Sequence, residues 1–136
     1  MTVQWSAAVR NARLDAWETA IGTAAIIRIY TGTVPSPDTS AARTGTLLWS
    51  KTLASDWSAA ASGGVKSLSS TPLSAAAVAA GTAGYYTIFA SDGTTVHEQG
   101  TITATGGGGD MTIDNTSIAN GQTVQITGFQ KTEAGA

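Results

Sequence analysis

The chain has 136 residues, of which 42% are hydrophobic, 12% charged, 16 glycine and none cysteine, and its formal net charge is −2. That length predicts one domain, and the missing cysteines exclude a disulfide scaffold, a thiolate zinc site and a cysteine nucleophile. The charge balance offers no basic footprint for nucleic acid, and the longest apolar runs, such as Ala75–Ala80, fall well below the roughly 18 residues that would cross a bilayer.

No basic, then apolar, then small-residue export signal opens the sequence; a helix is expected instead. Ser6 is a competent N-cap, Ala7–Ile21 contains neither Gly nor Pro, and Gly22 stands ready as the C-terminal stop. On a helical wheel Arg10, Leu14, Trp17 and Ile21 form one stripe, flanked by Val9, Arg13 and Ala20, with Asn11, Asp15 and Glu18 assigned to the opposite, solvated face. Arg13 and Trp17 are four residues apart, a spacing that allows the guanidinium to lie over the indole. Such a helix docks either on its own domain or, in part, on a neighbouring subunit.

After Gly22 the apolar period changes from 3.6 to 2. Ala24–Thr31 is apolar on both faces, which predicts a strand covered on both sides, one cover being the preceding helix. Gly32–Gly45 reads as a loop punctuated by Pro35 and Pro37. Thr46–Leu53 is a second strand with Leu47, Trp49 and Leu53 inward, and Lys51 interrupts the pattern as it would near a sheet edge. Ala54–Gly64 is illegible up to its Gly-Gly turn. Val65–Ser70 reads as a short strand, and Leu73–Ala80 is either two turns of helix or a strand, stopped by Gly81–Gly84. Tyr85–Ala90 and Thr94–Thr103 read as a hairpin around a two-residue Asp92-Gly93 turn, with Val96, Glu98, Gly100 and Ile102 on one face. Gly106–Gly109 is a flexible break, Asp110–Asp114 a short strand and Asn115–Gly121 a turn. Thr123–Gln130 closes the sheet with Val124 and Ile126 inward. The pattern predicts a mainly β fold: a β-sandwich or jelly-roll-like domain of about seven short strands with one N-terminal α-helix. Residues 1–136 form one domain, with 1–22 as a helical docking element and 23–136 as the sandwich.

Chemistry is thinly represented. His97 is the sole histidine and shares a strand face with Thr95, Gln99 and Thr101. Ser91 and Asp92 are near it in sequence, but no G-x-S-x-G elbow or oxyanion signature accompanies them. Asp110 and Asp114 lie on one strand face two pleats apart, with Asn115 following, which raises a hard-cation site such as calcium; the spacing matches neither the EF-hand loop nor the nonapeptide calcium repeat, and Asp at a strand start or in a turn is ordinary turn chemistry. Gly106–Gly109 lacks the Lys-Ser/Thr and the helix of a phosphate cradle. Trp5, Trp49, Trp57, Tyr85 and Tyr86 could stack on sugars if exposed together, although large aromatics in a small domain usually build the core. No catalytic, cofactor-binding or metal-binding residue is assigned, and no cofactor is expected.

The surface chemistry points elsewhere. With 22 Thr and 13 Ser, solubility rests on hydroxyls rather than ions. Such a surface is cheaper to desolvate than one of Lys and Glu, and interface cores are depleted in charge for that reason. Two stretches carry a resemblance. Val9-Arg10-Asn11-Ala12-Arg13-Leu14-Asp15, Ile21-Gly22-Thr23 and Arg28-Ile29-Tyr30-Thr31-Gly32 are one. The other holds Ser91-Asp92-Gly93-Thr94-Thr95, Gly100-Thr101-Ile102-Thr103, Gly106-Gly107-Gly108-Gly109-Asp110 and Gly121-Gln122-Thr123-Val124. Together they resemble small virion proteins of tailed bacteriophages over about three-fifths of the chain, while residues 33–80 carry no such likeness. The resemblance implies a structural virion component, with a capsid decoration or cement protein as the leading reading. Its expected partners are the major capsid protein or other virion proteins and further copies of itself, without nucleic acid or membrane, at the capsid surface. A tail or baseplate component is the alternative within that class, and a host-glycan-binding module the alternative outside it. Trp5, Val9, Arg10, Arg13 and Trp17 are the candidate partner contacts.

Overall fold

The computed structural model describes residues 3–69 and 73–133. Helix α1 is Ala7–Ile21, bounded where its caps dictate. The Ser6 hydroxyl accepts the Val9 N–H at 3.3 Å, and Gly22, at φ 87°, turns its own N–H back to the Glu18 carbonyl at 2.9 Å. Nine strands follow among the described residues: β1 (Ile26–Thr31), β2 (Leu47–Thr52), β3 (Val65–Ser67), β4 (Leu73–Ala76), β5 (Gly81–Phe89), β6 (Val96–Ala104), β7 (Met111–Ile113), β8 (Ser117–Ile118) and β9 (Thr123–Thr132). Their order is β2-β1-β5-β6-β7-β9-β3, with β4 also paired to β9 and β8 to β5. This mainly β, sandwich-like domain with one N-terminal helix is the predicted class, with two more short strands than expected.

The sheet curls until its ends meet. Beyond β4, the Val78 N–H donates to the Leu48 carbonyl of β2 at 2.8 Å, and the Trp49 indole N–H reaches the Ala75 carbonyl at 3.0 Å. The inner face is the core: Ile27, Ile29, Trp49, Tyr86, Ile88, Met111, Ile113, Val124 and Ile126 are essentially sealed from water. Each such side chain contributes roughly 1.5–3 kcal/mol relative to exposure. The helix lies on this inner side, and the second cover of β1 is the 32–45 loop. There Tyr30 stacks on Tyr85 at 5.1 Å, and the Tyr85 hydroxyl donates to the Thr44 carbonyl at 2.6 Å. Arg43 reaches in from the loop to Thr87 at 3.0 Å and Gln99 at 2.6 Å.

Several local expectations are corrected. The choice left open at Leu73–Ala80 resolves to a strand over Leu73–Ala76, because β9 offers it a backbone partner from Ile126 to Thr123; alanine's helix propensity is too weak to compete with that ladder. Residue 70, the predicted end of β3, lies outside the described residues. Of the β2 leucines, Leu48 is buried and Leu47 is not, since the ladder to β1 shifts between Ile29 and Tyr30. Gly81–Gly84 does not stop a segment but opens β5. A Cβ on Gly84 would stand 1.8 Å from the Gly32 carbonyl oxygen, so glycine there marks a close backbone approach. The hairpin turn has four residues, Ser91–Thr94, because Ala90 and Thr95 still pair at 2.9 Å. Asp92 holds that turn by accepting from the Thr95 hydroxyl and from the Thr95 and Thr94 amides. These bonds, the Thr95 hydroxyl foremost, lower its pKa to about 2.

The glycine run is also ordered. β6 and β7 pair in parallel, Ile102 opposite Met111, although only six residues join them; parallel neighbours ordinarily need a dozen or more. The chain manages this by wrapping around Thr103, whose hydroxyl accepts the Gly109 N–H at 2.9 Å, with Gly106 and Gly108 at φ 86° and 82°. A Cβ on Gly109 would lie 2.8 Å from the Thr103 backbone nitrogen. Gly109→Ala is therefore expected to destabilise by about 1–3 kcal/mol through overpacking. Gly106→Ala, which faces open space, is expected to lose only about 1 kcal/mol for its left-handed backbone. Urea unfolding of the two variants checks the ranking.

Candidate partner-contact surface

At roughly 100° per residue, Asn11, Asp15 and Glu18 fall on a flank of the Leu14–Ile21 stripe rather than opposite it. The structure half-buries that flank against β3 and the loop before it, correcting the expected acidic face opposite the stripe. Leu14 and Ile21 are buried. Trp17 stands edge-on to Trp57 at 5.1 Å and tilts on Phe129 at 6.2 Å. Its indole N–H donates to a Glu98 carboxylate oxygen at 2.9 Å. The same carboxylate accepts from the Tyr86 hydroxyl at 2.7 Å and pairs with Lys131 at 2.8 Å. Burial, then the charge and hydrogen bond of Glu98, push the Tyr86 phenol pKa up, so it remains a donor. Glu98 thus joins α1, β5, β6 and β9 at one point.

A second polar junction lies on the flank. Lys66, with a side chain only 1% exposed, meets Asp15 at 2.7 Å and Glu18 at 2.8 Å and donates to the Ala59 carbonyl at 2.9 Å. The Ala61 N–H donates to Asp15 at 3.1 Å and the Gly64 N–H to Asn11 at 2.9 Å. Burial pulls the Lys66 pKa down, but the hydrogen bonds and charges of Asp15 and Glu18 outweigh it, leaving the net shift upward. The Lys66 hydrogen bond and the Ala61 amide lower the Asp15 pKa.

The outward flank of α1 is different in kind. Val3 (71% exposed), Trp5 (39%) and Val9 (46%) are three of the four large apolar side chains left exposed among the described residues, Val78 being the fourth. The Arg13 guanidinium lies 4.1 Å above the Trp5 ring and pairs with Glu133 at 3.1 Å. It therefore covers Trp5 and not Trp17, whose indole is drawn inward by Glu98. Of the five candidate contacts, Trp5, Val9 and Arg13 share this exposed patch. Arg10 packs against the Gly64 backbone, and Trp17 serves the fold. Val3 is exposed as well, and Lys66 and Glu98 are the structural groups the sequence concealed. The one available hint was a lone charge in an otherwise alternating strand.

The remaining candidates do not converge. His97 is exposed, and Asp92 is committed to its turn. Trp49, Trp57, Tyr85 and Tyr86 are buried, leaving Trp5 alone outside among the proposed sugar-stacking rings. Asp110 accepts from the Thr101 amide at 2.9 Å, and Asp114 from the Gln125 amide at 3.1 Å, so the two carboxylates brace different strands. No cluster of three or more His, Asp or Glu suited to a metal ion occurs among the described residues, and no described helix is long and apolar enough to cross a membrane. An open groove of about 440 Å³ between β7 and β9 is lined mostly by hydroxyls and glycines, with Asp110 as its one charge. No protein-family model matches the chain, and no curated protein or solved structure is significantly similar to it.

Proposed function

We propose that this chain is a non-catalytic structural subunit of a tailed-phage virion, a capsid decoration (cement) protein that binds the major capsid protein or another shell protein. The observation that supports this most is the exposure of Trp5 and Val9 at the N-terminal end of α1, with Arg13 over the Trp5 ring, on a chain with few charges. An exposed tryptophan covered by an arginine combines the two residue types most enriched at binding hot spots. The Trp17–Glu98 and Lys66 junctions support the reading from behind, because they hold the patch rigid and so reduce the ordering cost of association. Many weak copies of one contact, repeated over a shell, gain further by multivalency.

Trp5→Ala combined with Val9→Ser leaves the core untouched, so thermal unfolding is expected to stay near that of the native chain. Loss of a hot spot of about 2 kcal/mol or more is expected to reduce copies per purified particle at least tenfold. Native occupancy by the variant would overturn the reading. Copy number divides the locations: hundreds of copies place the protein on the shell, tens or fewer in the tail or baseplate.

A further inference from the structure

We propose that α1 exchanges between copies of this chain, the helix of one copy seating in the socket of a second and the reverse, to give a helix-swapped dimer. The socket specifies its occupant. It presents the buried Lys66 ammonium, which needs two carboxylates, and the Glu98 carboxylate, which takes an indole N–H. It also presents the Ala61 and Gly64 amides, which need side-chain acceptors. Asp15, Glu18, Trp17 and Asn11 supply all of these at helical spacing, so a second copy of α1 fits as well as the first.

The hinge supplies the reason to exchange. Three residues, Gly22–Ala24, separate α1 from Ala25 at the edge of β1. Beyond them Ala25 is buried and fixed through its carbonyl to the Leu53 N–H at 2.8 Å. Gly22 takes its φ of 87° freely, but Ala24 sits at φ 53°, the one non-glycine residue with positive φ among the described residues. A left-handed alanine is strained. When the hinge opens, Ala24 relaxes to extended backbone while every helix–socket contact is remade in the partner. The balance is then hinge strain against the entropy of association, and short strained hinges favour exchange. High local concentration, as in an ordered array, shifts it toward the dimer. This deepens the expectation of a homo-oligomer but is a property of the purified chain, so its failure would leave the docking reading standing, and the converse.

The chain has no cysteine, so Asp15→Cys with Ala61→Cys in the full chain reports which socket holds the helix. The Ala61 amide donates to the Asp15 carboxylate at 3.1 Å, so the pair straddles the boundary between helix and socket, and a disulfide between them tests which socket is filled. Oxidation of a dilute sample is expected to give intrachain-linked monomer. Oxidation after equilibration at high concentration is expected to give covalent dimer without free thiols, increased at least fivefold. In the otherwise native chain, sedimentation velocity is expected to show a concentration-dependent dimer, reduced at least threefold by Ala24→Gly, which removes the hinge strain. Covalent monomer at every concentration would overturn the proposal. So would a native chain that sediments only as monomer, or a dimer indifferent to Ala24→Gly, and the sedimentation result decides should the double-cysteine variant fail to fold.

Discussion

Replacing Trp17 by alanine is expected to lower the unfolding free energy by about 2–4 kcal/mol, below the range of about 3–5 kcal/mol usual for a fully buried large aromatic because the indole is partly buried against the core. The indole packs on Trp57 and Phe129, and its removal uncovers both rings. The N–H to Glu98 is lost as well. Glu98 itself is not stranded, because Lys131 and the Tyr86 hydroxyl remain on it, and so the loss is one of packing more than of charge. Trp17→Phe separates the two contributions. It retains most of the ring contact and forfeits the hydrogen bond, worth about 1–3 kcal/mol for a donor to a charged acceptor. Urea unfolding gives the differences, and amide exchange in α1 is expected to accelerate in Trp17→Ala well before the strands open. A change below about 1 kcal/mol would mean that the helix adds little to the fold. In that case its role in holding the Trp5 patch would have to be abandoned.

Legibility in the sequence followed the range of the interaction. The limits of α1 were readable because Ser6 and Gly22 act within one turn of the helix they bound. The inner strands were readable because Ile27, Ile29, Val124 and Ile126 alternate with half-exposed neighbours. Lys51 correctly marked β2 as the end of the strand order. Features set by distant partners were not. Gly84 is a glycine because of the Gly32 carbonyl more than fifty positions earlier. Gly106–Gly109 is the exception: its partner Thr103 is near in sequence, but glycines carry no side-chain pattern from which that wrapping could be read. The same limit divided the candidate contacts. Trp5, Val9 and Arg13, named as contacts on or beside the helix, are exposed. Trp17 was drawn inward by Glu98, 81 residues away, and Asp15 and Glu18 by Lys66. A carboxylate flank with no visible counterion reads as solvated until the fold delivers the lysine.

That lysine gives the second large effect. Asp15→Asn with Glu18→Gln keeps the shape of the junction but leaves the Lys66 ammonium without a counterion in a site where its side chain is 1% exposed. Leaving a buried charge uncompensated costs about 3–5 kcal/mol, and the lower end applies because neutral amide oxygens still accept from the ammonium. Lys66→Met deletes the same bridge from the other side and is expected to cost far less. Its methionine fills the slot, and the abandoned Asp15 and Glu18, with side chains 50% and 25% exposed, turn to water. The pH dependence separates the two variants further. In the native chain the Asp15 pKa is depressed, so its stabilisation is complete above the ordinary aspartate value of about 3.9 and is lost as pH falls through its folded value. The Lys66 pKa is raised, so its stabilisation is complete below the ordinary lysine value of about 10.4 and is lost only as pH rises through its folded value. Stability from this junction is therefore flat between those limits. Without its carboxylates Lys66 is left to burial alone, which pulls its pKa down. The unfolded chain then binds the extra proton, and stability must rise with pH through the fallen value. Between pH 7 and 10 the double variant is expected to gain stability, whereas the native chain and Lys66→Met show no such gain from this junction. A double variant whose urea midpoint follows Lys66→Met across that interval would show that Lys66 is open to water, and that the helix is held by its apolar stripe alone.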